Sequence, residues 1–247
     1  MTNSGSLAYH GVLLVVVELR KVVFTRTSQI VLLCTVALGL IISAGLMVVG
    51  GRETGRIDLS GPMVSLSLAV AIGAPLIGAL IMTSDWQSRE VMTLFLCEPR
   101  RKRVFAGKVA ATVVLATSAV AAVIFLSVIL ALAAALALGL PIVYSNALPE
   151  IIPLLVGCLV GAISGAAIAS AIMSTPLAIV AVITQTVLID PLLSFGPLSW
   201  GAYVAPSSLS EYLDGDARPG PAIGAFAIWV LLPLAIGLWR TCRREIQ

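Results

Sequence analysis

The feature that most limits what this chain can become is a series of long apolar runs with its charges confined to the gaps between them. Ile30–Val49, Pro62–Thr83, Val109–Leu138, Ile151–Met173 and Ala222–Trp239 hold no charged residue, and Pro176–Phe195 holds only Asp190. A helix needs about 20 apolar residues to cross the hydrocarbon core of a bilayer. The runs therefore predict six transmembrane helices, over about 30–49, 62–83, 109–138, 151–173, 176–195 and 222–239. The third run is long enough to tilt or to project beyond the membrane. Composition argues the same way: 11% of the residues are charged, where a soluble domain carries about 25%. The expected fold is an all-α integral membrane protein, one transmembrane domain over 1–247.

The cations between the runs set the expected orientation. With the N-terminus inside, the inner segments hold Arg20, Lys21, Arg26, Arg89, Arg100, Arg101, Lys102, Arg103, Lys108, Arg240, Arg243 and Arg244. The outer segments hold only Arg52, Arg56 and Arg218. This asymmetry satisfies the positive-inside rule and predicts cytoplasmic termini. Dividing the third run into two spans would move the last three arginines outside, so the bias also supports the count.

The N-terminal piece lacks a basic leader before its short apolar run Val12–Val17, and no small-residue cleavage site follows it, unlike a signal peptide. It reads instead as an interfacial elbow helix over about 7–28. At 100° per residue Glu18, Lys21 and Thr25 share one polar stripe, while Leu13, Val16, Val23 and Phe24 face the other way. Arg20 falls on the apolar side, where it could snorkel or meet an acidic partner. A simply solvated basic leader is the plainer alternative.

Residues 84–108 form the longest polar interruption early in the chain. Ser84 followed by Gln87 has the spacing of a capping box, which predicts a helix starting near Asp85. Asp85 and Arg89 would then stand one turn apart and could pair. Pro99 should end that helix before it. Arg100–Arg103 is a basic knot that hydrocarbon would not tolerate. The expectation is a short cytoplasmic helix, a turn and a basic return into the third span.

These residues carry a family resemblance. The segment resembles the first cytoplasmic loop of type-2 ABC-transporter permeases, the six-span membrane subunits of bacterial ABC exporters. Asp85, Trp86, Pro99, Arg101 and Lys108 stand at that loop's spacing, and Glu18-Leu19-Arg20-Lys21 with Arg26 resembles the family's elbow signature. Arg89-Glu90 departs from it, because the family often has Gly-Thr there. The resemblance implies that Asp85–Cys97 is a coupling helix docking on a separate cytoplasmic ABC ATPase, present in two copies. It further implies a second permease subunit, identical or not, in the plasma (inner) membrane of a bacterium. ATP and Mg would be bound by the ATPase and not by this chain. The region 196–221 would fold back as short outer helices capping the exit, and export itself follows only from the resemblance.

Inside the runs, Gly157, Gly161 and Gly165 recur every four residues, a ladder that lets another helix approach closely. Pro75, Pro153 and Pro233 are candidate kinks. Thr184, Gln185 and Asp190 have two readings: a substrate path, or interhelical hydrogen bonding with an anchor at the outer interface. Trp200 and Tyr203 suit an interfacial belt, and Arg240, Arg243 and Arg244 suit a membrane-side anchor.

Several activities find no support in the residues. His10 is the sole histidine, so no Ser/His/Asp triad or histidine metal cluster can be assembled. Cys34, Cys97, Cys158 and Cys242 lack CxxC spacing. Gly50–Gly55 lacks the Lys-Ser/Thr ending of a phosphate-binding loop. The expected function is therefore a permease subunit without its own catalytic site, moving an amphipathic, lipid-like, drug-like or peptide cargo. A secondary transporter and a non-transporting membrane scaffold are the alternatives from other classes.

Overall fold

A computed structural model describes residues 4–58, 60–88, 101–143, 148–194, 200–213 and 218–243. The chain is a bundle of long helices. They are α1 (Ser4–Phe24), α2 (Arg26–Thr54), α3 (Ser60–Ser88), α4 (Arg101–Leu138), α5 (Leu148–Ile172), α6 (Thr175–Ser194), a short α7 (Ser208–Leu213) and α8 (Pro219–Arg243). Among the described residues, five helical segments are long and apolar enough to cross a membrane: α2, α4, Ile151–Ile172 of α5, α6 and α8. Their outward faces carry large apolar side chains such as Ile41, Phe125, Leu136 and Leu188, as lipid-facing surfaces do.

Glycine ends two of the long helices. Gly55 (φ 65°) closes α2, its N–H bonding to the Gly51 carbonyl at 3.0 Å, and Gly139 (φ 66°) follows α4. The left-handed backbone there is open to glycine without a Cβ penalty. The segments that follow pair as a two-residue parallel ladder, β1 (Ile57–Asp58) on β2 (Ile142–Val143). Ile57, 1% exposed, packs there against Met47, Ala131 and Leu138. This ladder, which hydropathy does not announce, ties the α2–α3 and α4–α5 connections at one end of the bundle.

The tightest packing is between α3 and α5. A Cβ at Gly165 would collide with the Pro75 carbonyl, and one at Gly78 with the Ala162 carbonyl. Backbone therefore meets backbone here, the approach that small residues permit. Gly161 faces the Pro75 ring, while the space beside Gly157 is open. The ladder is thus used within the chain at two of its three rungs.

Three boundaries differ from expectation for identifiable reasons. The predicted helix start near Asp85 is overturned, because α3 runs unbroken through Ser84 to Ser88. The Thr83 and Ser84 hydroxyls donate back to the Ala79 and Ile81 carbonyls, at 2.9 and 3.2 Å, instead of capping a new helix. The elbow, expected over 7–28, ends at Phe24, and Arg26 already opens α2. The break between α5 and α6 lies at Met173 (φ 59°) and Ser174, with Pro176 in the first turn of α6.

The candidate kink prolines all lie within continuous helix. Helix α3 continues through Pro75, and α5 through Pro153. In α6 and α8 the backbone widens into π turns, Gln185–Ile189 and Ala227–Leu231. Each ends two residues before a proline, Pro191 and Pro233. A proline has no N–H for the carbonyl four residues back and crowds it with its ring. Here those carbonyls belong to Val187 and Trp229, inside the π turns, where the wider ladder takes up the mismatch.

Candidate functional site

At the end of the bundle away from the β ladder, three helices bring four ionisable side chains together. Glu18 and Lys21 lie one turn apart on α1, Asp85 sits near the end of α3, and Lys108 lies two turns into α4. The Lys21 Nζ donates to Asp85 Oδ1 at 2.7 Å and to Glu18 Oε1 at 3.2 Å. The Lys108 Nζ donates to Glu18 Oε2 at 3.3 Å and to the Ile81 carbonyl at 2.9 Å. It also lies 2.8 Å from Asp85 Oδ2, an ionic contact whose angles are poor for a hydrogen bond. Each carboxylate thus faces both lysines, and the ring is neutral.

Burial gives the ring its energetic weight. Glu18, Asp85 and Lys108 are 4%, 2% and 6% exposed, and only Lys21 reaches the surface. Around it pack Val22, Ile77 and Ile81, with Val31 and Leu115 against them, while Leu14 closes over Gly107. Charges in such surroundings interact far more strongly than on a surface. Removing one of them strands the others at a cost of about 3–5 kcal/mol. For Lys21, burial by itself would lower the pKa. The Asp85 hydrogen bond and the Glu18 and Asp85 charges more than offset this and raise it above its ordinary value, so the ammonium is retained at neutral pH.

The Glu18–Lys21 part of the polar stripe of α1 therefore faces protein and not water. Glu18 is buried against α4, while Leu13, Val16, Val23 and Phe24 are exposed. The same 3.6-residue periodicity describes both orientations. What distinguishes them is the presence of unmatched partners elsewhere, here Asp85 and Lys108 in otherwise apolar surroundings.

The other expected site residues fall outside this ring. Arg20 and Arg26 are exposed. Trp86 lies on the last turn of α3, and Arg89, Glu90 and Pro99, with most of Asp85–Cys97, lie outside the described residues. Arg101, the first residue of α4, donates to the Thr241 carbonyl of α8 at 3.2 Å. The Arg240 guanidinium donates to the Ala171 carbonyl near the end of α5, and Arg243 stacks over Trp239. Cations at helix C-termini complement the free carbonyls there.

Thr184, Gln185 and Asp190 all lie on α6. Asp190 Oδ1 accepts the Ser207 N–H at 2.8 Å, capping α7, and Ser194 bonds Ser207 at 2.7 Å. Asp190 thereby anchors the segment between α6 and α8. Gln185 is 4% exposed, and its Oε1 has no hydrogen-bond partner. Thr184 is half-buried beside it. Among the described residues no group of His, Cys, Asp and Glu is placed to hold a metal.

Compared with models of known families and with curated proteins, the sequence finds no match.

Proposed function

We propose that this chain is the membrane-spanning subunit of an ABC-type exporter, resembling the type-2 permeases, and that the Glu18–Lys21–Asp85–Lys108 ring joins its elbow helix to its coupling loop. One observation carries this reading. The two stretches that resemble family signatures, residues 18–26 and 85–108, meet through their charged members in a single buried cluster. Structural requirements of a bundle alone do not call for ionic groups at this point, since an apolar replacement is as stable or more so.

On this reading α3 is the sixth span, with its apolar part over Ala69–Asp85, and α1 is the elbow helix. Residues 89–100 connect α3 to α4 and hold the coupling surface. Both termini are cytoplasmic, and the membrane is the bacterial inner membrane. Helix α4, at 38 residues, is about 57 Å long against a core of about 30 Å. Its surplus carries Arg101–Lys108 towards the ATPase. A push on residues 89–100 reaches α1, α3 and α4 together, because the ring opens only by stranding buried charge. Two such subunits with two ATPases would form the path. Cargo is expected to be amphipathic, in keeping with an apolar bundle.

Affinity purification of the tagged chain from its native membranes tests this. An ABC ATPase subunit should co-purify in equal number, and Asp85→Asn should uncouple cargo-stimulated ATP hydrolysis while leaving the complex assembled. Purification without any ATPase overturns the reading. So does coupled transport that survives replacement of residues 89–97 by a flexible linker.

A further inference from the structure

Between α2, α3 and α4 lies a cavity of about 150 Å³ that the ring does not use. Small residues make it: Ala69, Gly73 and Ala74 on α3, and Ala116, Ala119 and Ala122 on α4. Along α4 it runs from Thr112 to Leu126, roughly 20 Å at 1.5 Å per residue. One leaflet of hydrocarbon is about 15 Å deep, half of the bilayer core. The slot therefore runs in the direction of an acyl chain lying parallel to the helices, and its volume takes a segment of one, the rest of the chain lying in the open side of the slot.

Its chemistry suits an apolar filling better than water. The hydroxyls on its wall, Thr35 and Thr112, donate to their own helices, at the Val31 and Lys108 carbonyls, 2.8 and 2.9 Å away. They leave a water only their oxygens to donate to, and an apolar void left empty forfeits contacts along its whole wall. The mouth lies between α2 and α4, where Leu32 and Ala122 are exposed. That opening is lateral, toward the exposed apolar faces of both helices.

One end of the slot is marked by charge. Ile77 and Leu115 pack there against Val22 and Val31, at the corner where α1 turns into α2. Within the ring Lys21 and Lys108 balance Glu18 and Asp85. Among the described residues, exposed Arg20 and Arg26 are left as surplus cations at that corner.

We propose that the slot holds one acyl chain of an anionic phospholipid whose phosphate lies against Arg20 and Arg26. This requires only that the bundle lies in a bilayer, and it stands whether or not the chain serves a transporter.

Native mass spectrometry of the purified full chain, titrated with phosphatidylglycerol or phosphatidylcholine of the same acyl composition, tests the proposal. Phosphatidylglycerol should be retained preferentially, and Arg20→Ala with Arg26→Ala should reduce that preference by about fivefold per arginine. Ala119→Leu fills the slot and should abolish retention of both lipids. Ala122→Leu, at the exposed mouth, needs no core space, folds without repacking, and should weaken both. Leu188→Phe, on the exposed face of α6, which does not line the slot, should change neither. Undiminished retention in a folded Ala122→Leu variant overturns the slot. Equal retention of the two lipids by the natural chain overturns the headgroup assignment.

Discussion

Asp85→Asn is the most informative single change. It keeps the side-chain shape and removes one negative charge from a ring in which Asp85 touches both lysines, at 2.7 and 2.8 Å. Lys108, 6% exposed, keeps the Ile81 carbonyl and a long contact to Glu18 but loses its closest counter-charge. The stranded charge should cost about 3 kcal/mol. At roughly 2–4 °C per kcal/mol for a chain of this size, Tm falls by roughly 6–12 °C. Lys108→Met should cost a similar amount, since it leaves two carboxylates facing one lysine. The double variant keeps only the neutral Glu18–Lys21 pair, one turn apart on α1, and should recover most of the loss. The assay is thermal unfolding of the detergent-purified chain, natural and variant, read as a double-mutant cycle. High salt should leave the coupling in place, because buried pairs are poorly screened. If the two single losses simply add, the residues do not form one electrostatic unit and the ring argument fails.

Gly165→Ala sets a Cβ against the Pro75 carbonyl and should destabilise by about 1–3 kcal/mol, whereas Gly157→Ala, facing open space, should be silent; equal melting points for the two would contradict the crossing. Asp190→Ala removes the cap on Ser207 and should cost about 1 kcal/mol, with faster protease cleavage between α6 and α8 as the readout. Gln185→Leu removes a buried group whose Oε1 is unpartnered and should raise Tm, because an unmade hydrogen bond costs about 1–3 kcal/mol. A lowered Tm would mean that Gln185 makes a structural bond.

Much of the bundle was legible in the sequence because hydrocarbon length is a one-dimensional constraint. Five of the apolar runs fall on helices long enough to cross a membrane, their ends within a few residues of the hydropathy limits except where α2 and α4 continue into polar sequence. The local polar readings fared worse. Ser84-x-x-Gln87 has the spacing of a cap, yet α3 runs on through it to Ser88, and the hydroxyls of Thr83 and Ser84 bond back to their own helix. Arg89, the partner that spacing offers Asp85, lies outside the described residues. Among the described residues the partners of Asp85 lie 64 residues away at Lys21 and 23 residues away at Lys108. Spacing along one helix cannot reveal such a choice. The π turns have a signal in the sequence, a proline two residues after each, and of the two Pro233 is already a candidate kink.

The ring also explains why α1 can be amphipathic and still present its apolar face outward. A helix lying on a membrane surface normally keeps its charges in water, where exposed pairs contribute about 0–1 kcal/mol. Here Glu18 and Lys21 turn inward only because Asp85 and Lys108 neutralise them, leaving Val16, Val23 and Phe24 free to meet lipid. Neither pair is tolerable in that interior alone: two carboxylates without lysines, or two lysines without carboxylates, would each carry an uncompensated buried charge. The docking of α1 is therefore conditional on α3 and α4 standing side by side in register, with Asp85 and Lys108 opposed. Any movement that slides α3 along α4 by a single turn, about 5.4 Å, removes that condition and frees α1. A helix held this way reports the relative position of its neighbours, which is the property a transmission element needs.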